Sequence, residues 1–325
     1  MKLICAPMAT LSHEAFRISV EEFGGCDEYF TEMINASSLL NMGPFEKYYL
    51  MNGPCPEKIV WQLTGTSAES LAKAAEIVCE KGGIGIDLNM GCSAPQIYKT
   101  GAGIAWMLKP LKETAEAVSK VKKSMNLIEE KTQNHFRFSV KCRLGNENFT
   151  EQTFFNFTDM LVENGVELIT LHARTIKEKY RGLPRYEFAK KLSQRYEKKI
   201  KVYVNGCIKD TASAKFAIQK APEADGIMIA RGAQGNPWIF SEMIAYEQTG
   251  QLPDRPARRE VREMMLRHAR LQLQYKGEYL GIREMRKHVA WYTKGLQGSA
   301  KLREEINRVE SYAELEELLE RRLSD

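Results

Sequence analysis

Short apolar runs alternate with longer amphipathic segments over the first two-thirds of the chain. Eight of these runs are too short for helices and apolar enough to be strands buried on both faces of a parallel sheet. Longer segments with apolar residues at helical spacing follow most of them. The predicted strands cover residues 2–5, 29–33, 59–63, 84–88, 136–141, 166–171, 201–204 and 226–229.

The amphipathic segments begin and end with recognisable helix signals. Ser67 stands before one such segment and Gly82 closes it, so a helix over 67–81 is predicted with Ser67 as its N-cap. Ser12 and Asp210 are predicted N-caps of two other helices. The remaining predicted helices cover residues 12–23, 111–125, 150–164, 185–196 and 211–220.

Eight strands that alternate with helices over about 240 residues fit a (β/α)₈ barrel in number and length. An open doubly wound sheet would need a dinucleotide glycine fingerprint, and no Gly-x-Gly-x-x-Gly occurs. The segment 35–56, rich in glycine and proline, is predicted to be a loop at the active-site end. The fold class is therefore predicted to be a TIM barrel.

The C-terminal part of the chain has a different pattern. A break at residues 250–256 contains one glycine and two prolines, and no strand pattern recurs beyond it. We predict a C-terminal all-α helical bundle, with a barrel domain over residues 1–245 and a helical domain over 246–325. The predicted helices of the bundle cover residues 258–275, 280–296, 300–310 and 313–323.

Composition narrows the class of protein only slightly. A chain of 325 residues with 43% hydrophobic and 27% charged residues is typical of a globular protein. No apolar run approaches the roughly 20 residues that span a bilayer, and the N-terminus lacks the layout of a signal peptide. We expect a cytoplasmic protein with no membrane association and no stable protein partner, present as a monomer.

The seven cysteines and five histidines do not suggest a metal site or a disulfide framework. No Cys-x-x-Cys pair and no His-x-x-x-His pair occurs, so metal ligands are not predicted. The net charge of +5 permits a nucleic-acid partner without requiring one. Between Asp254 and His288, however, ten Lys and Arg stand against five Asp and Glu. This excess fits either a solvated helix face or a phosphate-contacting surface.

Polar residues stand at the ends of the predicted strands, where barrels build their sites. Their recurrence in phase with the strands favours joint use over separate structural roles. Paired carboxylates, a serine nucleophile elbow and clustered metal ligands are missing from this ring. Donors and cations predominate, which suits an electron-rich planar cofactor with a phosphate. The ring comprises Gln62, Asn89, Cys92, Lys141, Arg143, His172, Arg174, Asn205, Gly206, Arg231 and Gly232.

Cys92 is the candidate for chemistry in this ring. It follows the strand 84–88 and lies after Gly91, so a barrel would place it at the mouth. A thiol there can transfer a proton or attack as a nucleophile. The alternative is that Cys92 is a small buried apolar residue, the usual environment of a free cysteine.

Motifs along nearly the whole chain resemble those of the tRNA dihydrouridine synthases of bacterial type, which are flavin enzymes that reduce selected uridines of tRNA. Taken together the motifs are specific, although each alone is weak. They include Ala6-Pro7-Met8, Gln62-Leu63-Thr64-Gly65, Asp87-Leu88-Asn89-Met90-Gly91-Cys92, Lys141-Cys142-Arg143-Leu144-Gly145, Leu171-His172-Ala173-Arg174-Thr175, Arg231-Gly232-Ala233, Gly235-Asn236-Pro237-Trp238 and Arg286-Lys287-His288.

The resemblance implies roles for individual residues. Cys92 is implied to be the general acid that protonates C5 of uracil, while C6 receives a hydride from reduced FMN and NADPH re-reduces the flavin. Asn89, Arg143 and Arg174 are implied to contact the nucleotide. The basic tail, with Arg283, Arg286 and Lys287, is implied to bind tRNA. The implied FMN contacts are Pro7, Met8, Ala9, Gln62, Lys141, His172, Asn205, Gly206, Cys207, Ala230 and Arg231.

The chain departs from the family pattern at three positions. Ser93, Cys207 and Ala230 stand where the family usually has proline, aspartate and glycine. These changes leave open a reduced rate or an altered substrate. Two other functions also stay open: an FMN barrel that reduces a small molecule of dihydropyrimidine or enone type, and a tRNA-binding protein that has lost activity. The basic tail favours tRNA over a small molecule.

Overall fold

The computed structural model describes residues 1–44, 46–197, 199–296 and 298–323. These residues form two compact units. The first comprises Met1–Ser12 and Asp27–Ala230, and the second comprises His13–Cys26 and Arg231–Asp325. This division differs from the predicted boundary between residues 245 and 246. The side chains of Phe23 and Trp238, whose rings lie 5.5 Å apart, belong to the apolar core of the second unit.

Parallel strands close into a barrel in the first unit. Among the described residues, eight strands pair in a ring, and the pairings of β1 with β9 and of β2 with β4 complete it. Within the described ranges β3 pairs with β4 alone and lies outside the ring. The predicted (β/α)₈ barrel is therefore confirmed. The strands are β1 Lys2–Cys5, β2 Glu28–Phe30, β3 Ile34–Asn35, β4 Ile59–Thr64, β5 Gly85–Met90, β6 Arg137–Cys142, β7 Leu168–His172, β8 Lys201–Asn205 and β9 Gly226–Ile229.

Helices connect the strands and make up most of the second unit. Short 3₁₀ turns lie at Pro56–Lys58, Gly103–Met107 and Arg231–Ala233. The helices are α1 Glu14–Glu22, α2 Ala36–Leu40, α3 Glu46–Tyr49, α4 Ala68–Glu80, α5 Pro95–Tyr98, α6 Leu111–Thr132, α7 Glu151–Glu163, α8 Glu187–Tyr196, α9 Thr211–Lys220, α10 Ile239–Thr249, α11 Arg258–Tyr292, α12 Ser299–Ile306 and α13 Tyr312–Arg322.

Two of the three predicted N-caps are confirmed. The Ser67 and Asp210 side chains accept the backbone N–H of Ser70 and Ser213 at 3.1 and 2.8 Å, respectively. The prediction for Ser12 was wrong. His13 caps α1 instead, because the Ser12 hydroxyl is already bonded to the backbone of Met8.

The predicted loop over residues 35–56 contains two short helices, α2 and α3, so that prediction was also wrong. None of the helices formed by the described residues combines the length and the apolar character needed to cross a membrane. In the tail, α11 includes one non-helical residue, Gly277, with φ 73° and ψ 167°. This break lies in the gap between the predicted helices 258–275 and 280–296, so α11 consists of two arms as predicted, but the second arm ends at Tyr292 and not at residue 296.

The barrel interior is layered. An apolar layer includes Ile4, Val60, Leu168 and Tyr203. At the amino-terminal end of the strands, the buried Glu28 carboxylate accepts hydrogen bonds from Arg137 at 2.8 and 2.6 Å, from Lys2 at 2.8 Å and from the Tyr203 hydroxyl at 2.8 Å. The polar residues at the opposite ends of the strands form the candidate site.

Candidate active site

Side chains two and four positions after the apolar layer also face the barrel interior, because successive residues of a strand alternate between its faces. Val60 precedes Gln62 by two positions on β4, and Tyr203 precedes Asn205 by two on β8. Register pairs then align the polar positions of neighbouring strands. The pairs are Gln62 with Asp87, Asn89 with Lys141, Lys141 with Thr170, and His172 with Asn205.

A chain of buried hydrogen bonds runs from Asp87 to the backbone of Cys92. The Asp87 carboxylate accepts from Gln62 Nε2 at 2.7 Å and from Ser139 Oγ at 2.8 Å. Asn89 Nδ2 donates to Gln62 Oε1 at 2.8 Å. Asn89 Oδ1 then accepts the backbone N–H of Gly91 at 3.2 Å and of Cys92 at 2.9 Å.

The carboxylate of Asp87 sets the direction of this chain. An ionised carboxylate only accepts hydrogen bonds, so Gln62 must present its amide nitrogen to Asp87 and its oxygen to Asn89. Asn89 must in turn present its nitrogen to Gln62, which leaves its oxygen for the N–H groups that fix Cys92. The sequence did not predict the part played by Asp87, although its spacing of two residues from Asn89 places both on one face of β5.

The turn after β5 is fixed on its other side as well. The Cys92 carbonyl accepts the N–H of Ile104 at 3.0 Å. Gly103, with φ +60°, lies so close that an added Cβ would be 2.6 Å from this carbonyl oxygen. Arg143 Nε donates to the Gly91 carbonyl at 2.9 Å. Cys92 itself is a free thiol at intermediate exposure, so it is not simply a core residue.

Burial perturbs the two charged groups of this ring in opposite directions. Burial raises the pKa of Asp87 to about 6, against the hydrogen bonds from Gln62 and Ser139. Burial, followed by the charge of Arg143, lowers the pKa of Lys141 to about 8, and Asp87 opposes that change. Lys141 therefore remains mostly cationic at neutral pH, next to Asn89 in the sheet register.

His172 is held in one tautomer by Arg174. Arg174 Nη1 lies 2.8 Å from His172 Nε2. Because a guanidinium carries only donors, His172 Nε2 must accept, and the neutral ring carries its proton on Nδ1. Arg174 is 1% exposed and also donates to the carbonyls of Arg181 and Gly182. Its predicted contact with the nucleotide stays a prediction, since the structure uses these donors internally.

The turn after β8 approaches His172 closely. Gly206 has φ +113°, and a Cβ added there would be 2.6 Å from His172 Cδ2. Cys207 also has a positive φ of 55°, and its sulfur accepts a hydrogen bond from Arg174 Nη2 at 3.0 Å. Asn205 Nδ2 donates to the Met228 carbonyl at 2.8 Å.

The other predicted site residues have simpler surroundings. Met8 is buried and Ala9 is exposed just past β1, and Ala230 directly follows β9. Arg143 also donates to the carbonyls of Thr175 and Lys179, at 3.5 and 3.2 Å. Its guanidinium therefore links the turn after β5 to the loop after β7.

Arg231 and the basic tail residues belong to the second unit. Arg283 is exposed on α11, with its guanidinium 4.5 Å from the Tyr279 ring centre. Arg286 is half-buried and donates from Nε and Nη2 to the Val309 carbonyl at 3.0 and 2.8 Å. Lys287 is half-buried one residue later. Of these side chains, Arg283 is the most available to a ligand of this unit.

A parallel barrel with a thiol, an ammonium group and an oriented imidazole at its carboxyl-terminal end is an arrangement typical of barrel enzymes. A family model described as dihydrouridine synthase matches residues 4–325. The chain belongs to this family of enzymes, as the motifs predicted.

Known proteins with similar sequences carry the same description. A probable tRNA-dihydrouridine synthase of Rickettsia conorii is 31% identical, and the match covers 94% of this chain and 88% of that protein. tRNA-dihydrouridine synthase B of Vibrio parahaemolyticus is 30% identical over 95% of this chain and 91% of that protein. Among solved structures, morphinone reductase is similar with a TM-score of 0.52 and 11% identity, covering 78% of this chain and 87% of that one, which supports the barrel fold alone.

Proposed function

We propose that this protein reduces the C5–C6 double bond of uridines in tRNA, with FMN as cofactor and NADPH as reductant. The names of its relatives supply the substrate and the reaction class. One observation in this chain supports the proposal most directly. The backbone of Cys92 is fixed just past β5 by Asn89, whose register partner on the next strand is Lys141.

The polar strand ends fit a flavin by the chemistry of their groups. The buried hydroxyls of Thr64 and Thr170 have no hydrogen-bond partner within the described ranges, so a polar ligand would satisfy them. Lys141 supplies a positive charge that favours a reduced, anionic flavin ring. The proposed FMN contacts in the first unit are Pro7, Met8, Ala9, Gln62, Lys141, His172, Asn205, Gly206, Cys207 and Ala230.

FMN held by the contacts named above would supply, once reduced by NADPH, the hydride for C6 of uracil. The chain itself supplies the proton: the Cys92 thiol acts as the general acid toward C5. Burial lowers the pKa of both Lys141 and Arg143, and a negative charge on the Cys92 sulfur is a smaller influence that opposes this in each case. The two cations therefore lie near enough to favour the thiolate left behind. Because a base within a stacked helix cannot reach this turn, the uridine must leave its stack to react.

We assign Asn89 a positioning role in this reaction. Its side-chain oxygen accepts the two N–H groups that orient Cys92, and its nitrogen is used by Gln62. The proposed contact of Asn89 with uracil would use what remains of its hydrogen-bonding capacity. The polar chain from Asp87 thus acts on catalysis through the placement of one thiol.

The general-acid role is tested with Cys92→Ala. The variant is expected to keep FMN and tRNA binding and to lose about 10²–10⁴-fold in turnover, the range for loss of a general acid. Cys55→Ala is the matched control, since Cys55 is also a partly exposed cysteine but follows no barrel strand. Dihydrouridine formed in unmodified tRNA is measured by mass spectrometry of nucleosides. Full activity of Cys92→Ala would remove the general-acid role.

Cofactor and substrate are tested separately. Purified protein should be yellow, with the absorbance of bound FMN. A colourless protein that FMN cannot reconstitute would contradict the cofactor assignment whatever the activity of the variants. Rapid reduction of free uridine with none of tRNA would favour a small-molecule reductase instead.

A further inference from the structure

Three histidines that are distant in sequence meet inside the second unit. His13 caps α1, whereas His268 and His288 lie on the two arms of α11, on either side of Gly277. The ring centres of His268 and His288 are 4.7 Å apart, and that of His13 lies 5.6 and 5.8 Å from them. Short sequence motifs could not reveal this cluster, because its members stand at positions 13, 268 and 288.

The cluster is buried and its nitrogens are poorly satisfied. His13, His268 and His288 are 6%, 0% and 1% exposed. Within the part of the chain that the structure describes, no hydrogen-bond partner reaches Nε2 of His13, Nε2 of His268 or either ring nitrogen of His288. One ring nitrogen from each histidine lies within 4.8 Å of the other two.

Such a cluster is costly unless something occupies it. Each buried polar atom without a partner costs about 1–3 kcal/mol, so apolar side chains would suit this position better. Burial lowers the pKa of His268 to about 3. Burial first, and then neighbouring histidines and cations, hold the pKa of His13 and His288 well below their usual range. All three rings are therefore neutral, which is the form that binds metals.

We infer that His13, His268 and His288 form a binding site for a divalent first-row transition cation such as Zn²⁺. Imidazole nitrogen is the ligand type that Zn²⁺, Ni²⁺ and Cu²⁺ share. With Zn–N bonds of about 2.0–2.1 Å, tetrahedral ligand nitrogens lie roughly 3.3 Å apart. The three nitrogens must therefore move closer by modest ring rotations, and water would complete the coordination.

The bonds at the opposite ring nitrogens support this assignment. His268 Nδ1 lies 3.0 Å from the Tyr292 hydroxyl, and this contact leaves Nε2 for the metal. His13 Nδ1 accepts the Phe16 N–H at 3.4 Å, at the outer limit for such a bond. The same N–H donates to the His13 carbonyl at 3.1 Å. When Nε2 binds a metal, the ring proton can therefore move to Nδ1, and only the weak hydrogen bond at Nδ1 is lost.

Positive charges near the cluster limit its affinity. Lys276, Lys287 and Arg17 all act on His13. Lys276, however, is paired with the Glu284 carboxylate at 2.9 and 2.8 Å, which reduces its effect. A bound cation would connect the start of α1 to both arms of α11, and so would stabilise the second unit. This inference is independent of the proposed reaction.

The test uses the full-length protein after treatment with a chelator. Co²⁺ is added first, because four-coordinate Co²⁺ has intense visible d–d bands, and Zn²⁺ is then added to displace it. The native protein should bind one equivalent of Co²⁺ with these bands, and saturating Zn²⁺ should raise its thermal unfolding midpoint. Absence of the bands in the native protein would overturn the inference without any variant.

Variants locate the site. His13→Asn keeps a side chain that caps helices well but removes one ligand, and His288→Gln removes another. Each should weaken Co²⁺ binding by about tenfold or more and abolish the four-coordinate spectrum. His135→Asn is the matched control, because its side chain is 61% exposed in the first unit, and it should bind as the native protein does. Bands that persist in both cluster variants, or that disappear in His135→Asn, would refute the site.

Discussion

The direction of the hydrogen-bond chain that ends at Cys92 makes Asn89→Asp a sharp test. The substitution exchanges one nitrogen for oxygen at nearly constant shape, and it introduces an ionisable group. Asn89 Nδ2 now donates to Gln62 Oε1 at 2.8 Å, and an oxygen there would face another acceptor. While Asp87 is ionised, above a pH of about 6, Gln62 cannot compensate by rotating its amide group, because its oxygen would then face the Asp87 carboxylate, which Nε2 now contacts at 2.7 Å.

The expected loss follows from these contacts. One hydrogen bond, worth about 1 kcal/mol net, disappears, and buried acceptors left without a donor cost about 1–3 kcal/mol more. The free energy of unfolding should therefore fall by about 2–4 kcal/mol. Since the other oxygen of the introduced carboxyl group would still accept the N–H groups of Gly91 and Cys92, the turn itself should survive. The loss should then be seen in stability, while the turn that carries the thiol is kept.

The pH dependence has a definite sign. Burial and the facing Gln62 oxygen would raise the folded-state pKa of a carboxyl group at position 89 above its unfolded value of about 3.9. The N–H groups of Gly91 and Cys92 and the charge of Lys141 on the next strand oppose this rise and limit its size. A raised pKa gives stability that is present at low pH and lost as pH rises through the folded value. The difference in the free energy of unfolding between the variant and the native protein should thus be smallest at acid pH and largest at pH 8.

Urea unfolding of the native and variant proteins at pH 5 and pH 8 measures this loss. Asn146→Asp is the matched control, because Asn146 Oδ1 also accepts a backbone N–H, that of Asn148 at 3.0 Å, but in an exposed loop. The same atom exchange should cost less than about 0.5 kcal/mol there. Equal losses in the two variants, or a loss at position 89 that shrinks with rising pH, would refute the directional chain.

Three further predictions use other parts of the molecule. Gly206→Ala should lose more stability and FMN affinity than Gly145→Ala. Both glycines have a positive φ, but only at position 206 would an added Cβ clash with His172. Equal losses would mean that backbone strain alone is the cause. Burial alone would raise the pKa of Glu28, but hydrogen bonds and charge from Arg137 outweigh it and hold the pKa at about 2. About 3 kcal/mol of stability should therefore be lost as pH falls from 4.5 toward 2. Glu28→Gln should remove that pH dependence from acid unfolding. Arg283→Ala should weaken tRNA binding and flatten its salt dependence. Arg308→Ala, which removes an exposed cation outside α11, should do neither. Unchanged binding in Arg283→Ala would mean that the RNA surface lies elsewhere.

The strands could be predicted from the sequence because barrel strands are buried on both faces and must be almost continuously apolar. Helix ends were less predictable. The sequence after Met125 is polar enough to suggest a loop, yet α6 continues to Thr132. The reason is that Val121, Met125 and Ile128 are buried and keep helical spacing, while the polar residues occupy the opposite face. Short helices such as α2 lack enough residues to show any period.

The sequence could place the polar residues of the site but could not show their partners. Alternation along β4 and β5 puts Gln62 and Asn89 in the interior, and that follows from strand geometry alone. The bonds that Arg143 and Arg174 make to loop carbonyls depend on how those loops fold back, which residue types do not encode. The nucleotide contacts of both arginines, which the family resemblance implied, stay predictions.

The hydrogen-bond chain that ends at Cys92 and the histidine cluster are both buried and polar, but they differ in whether their atoms find partners. From Asp87 to Cys92, every side chain finds a partner of the opposite hydrogen-bonding type, so that network can be explained by placement of a thiol alone. The histidines at 13, 268 and 288 are equally buried, but four of their nitrogens find none within the described residues. A folded chain retains such groups only if something offsets their cost, and a cation bound by three neutral imidazoles would do so.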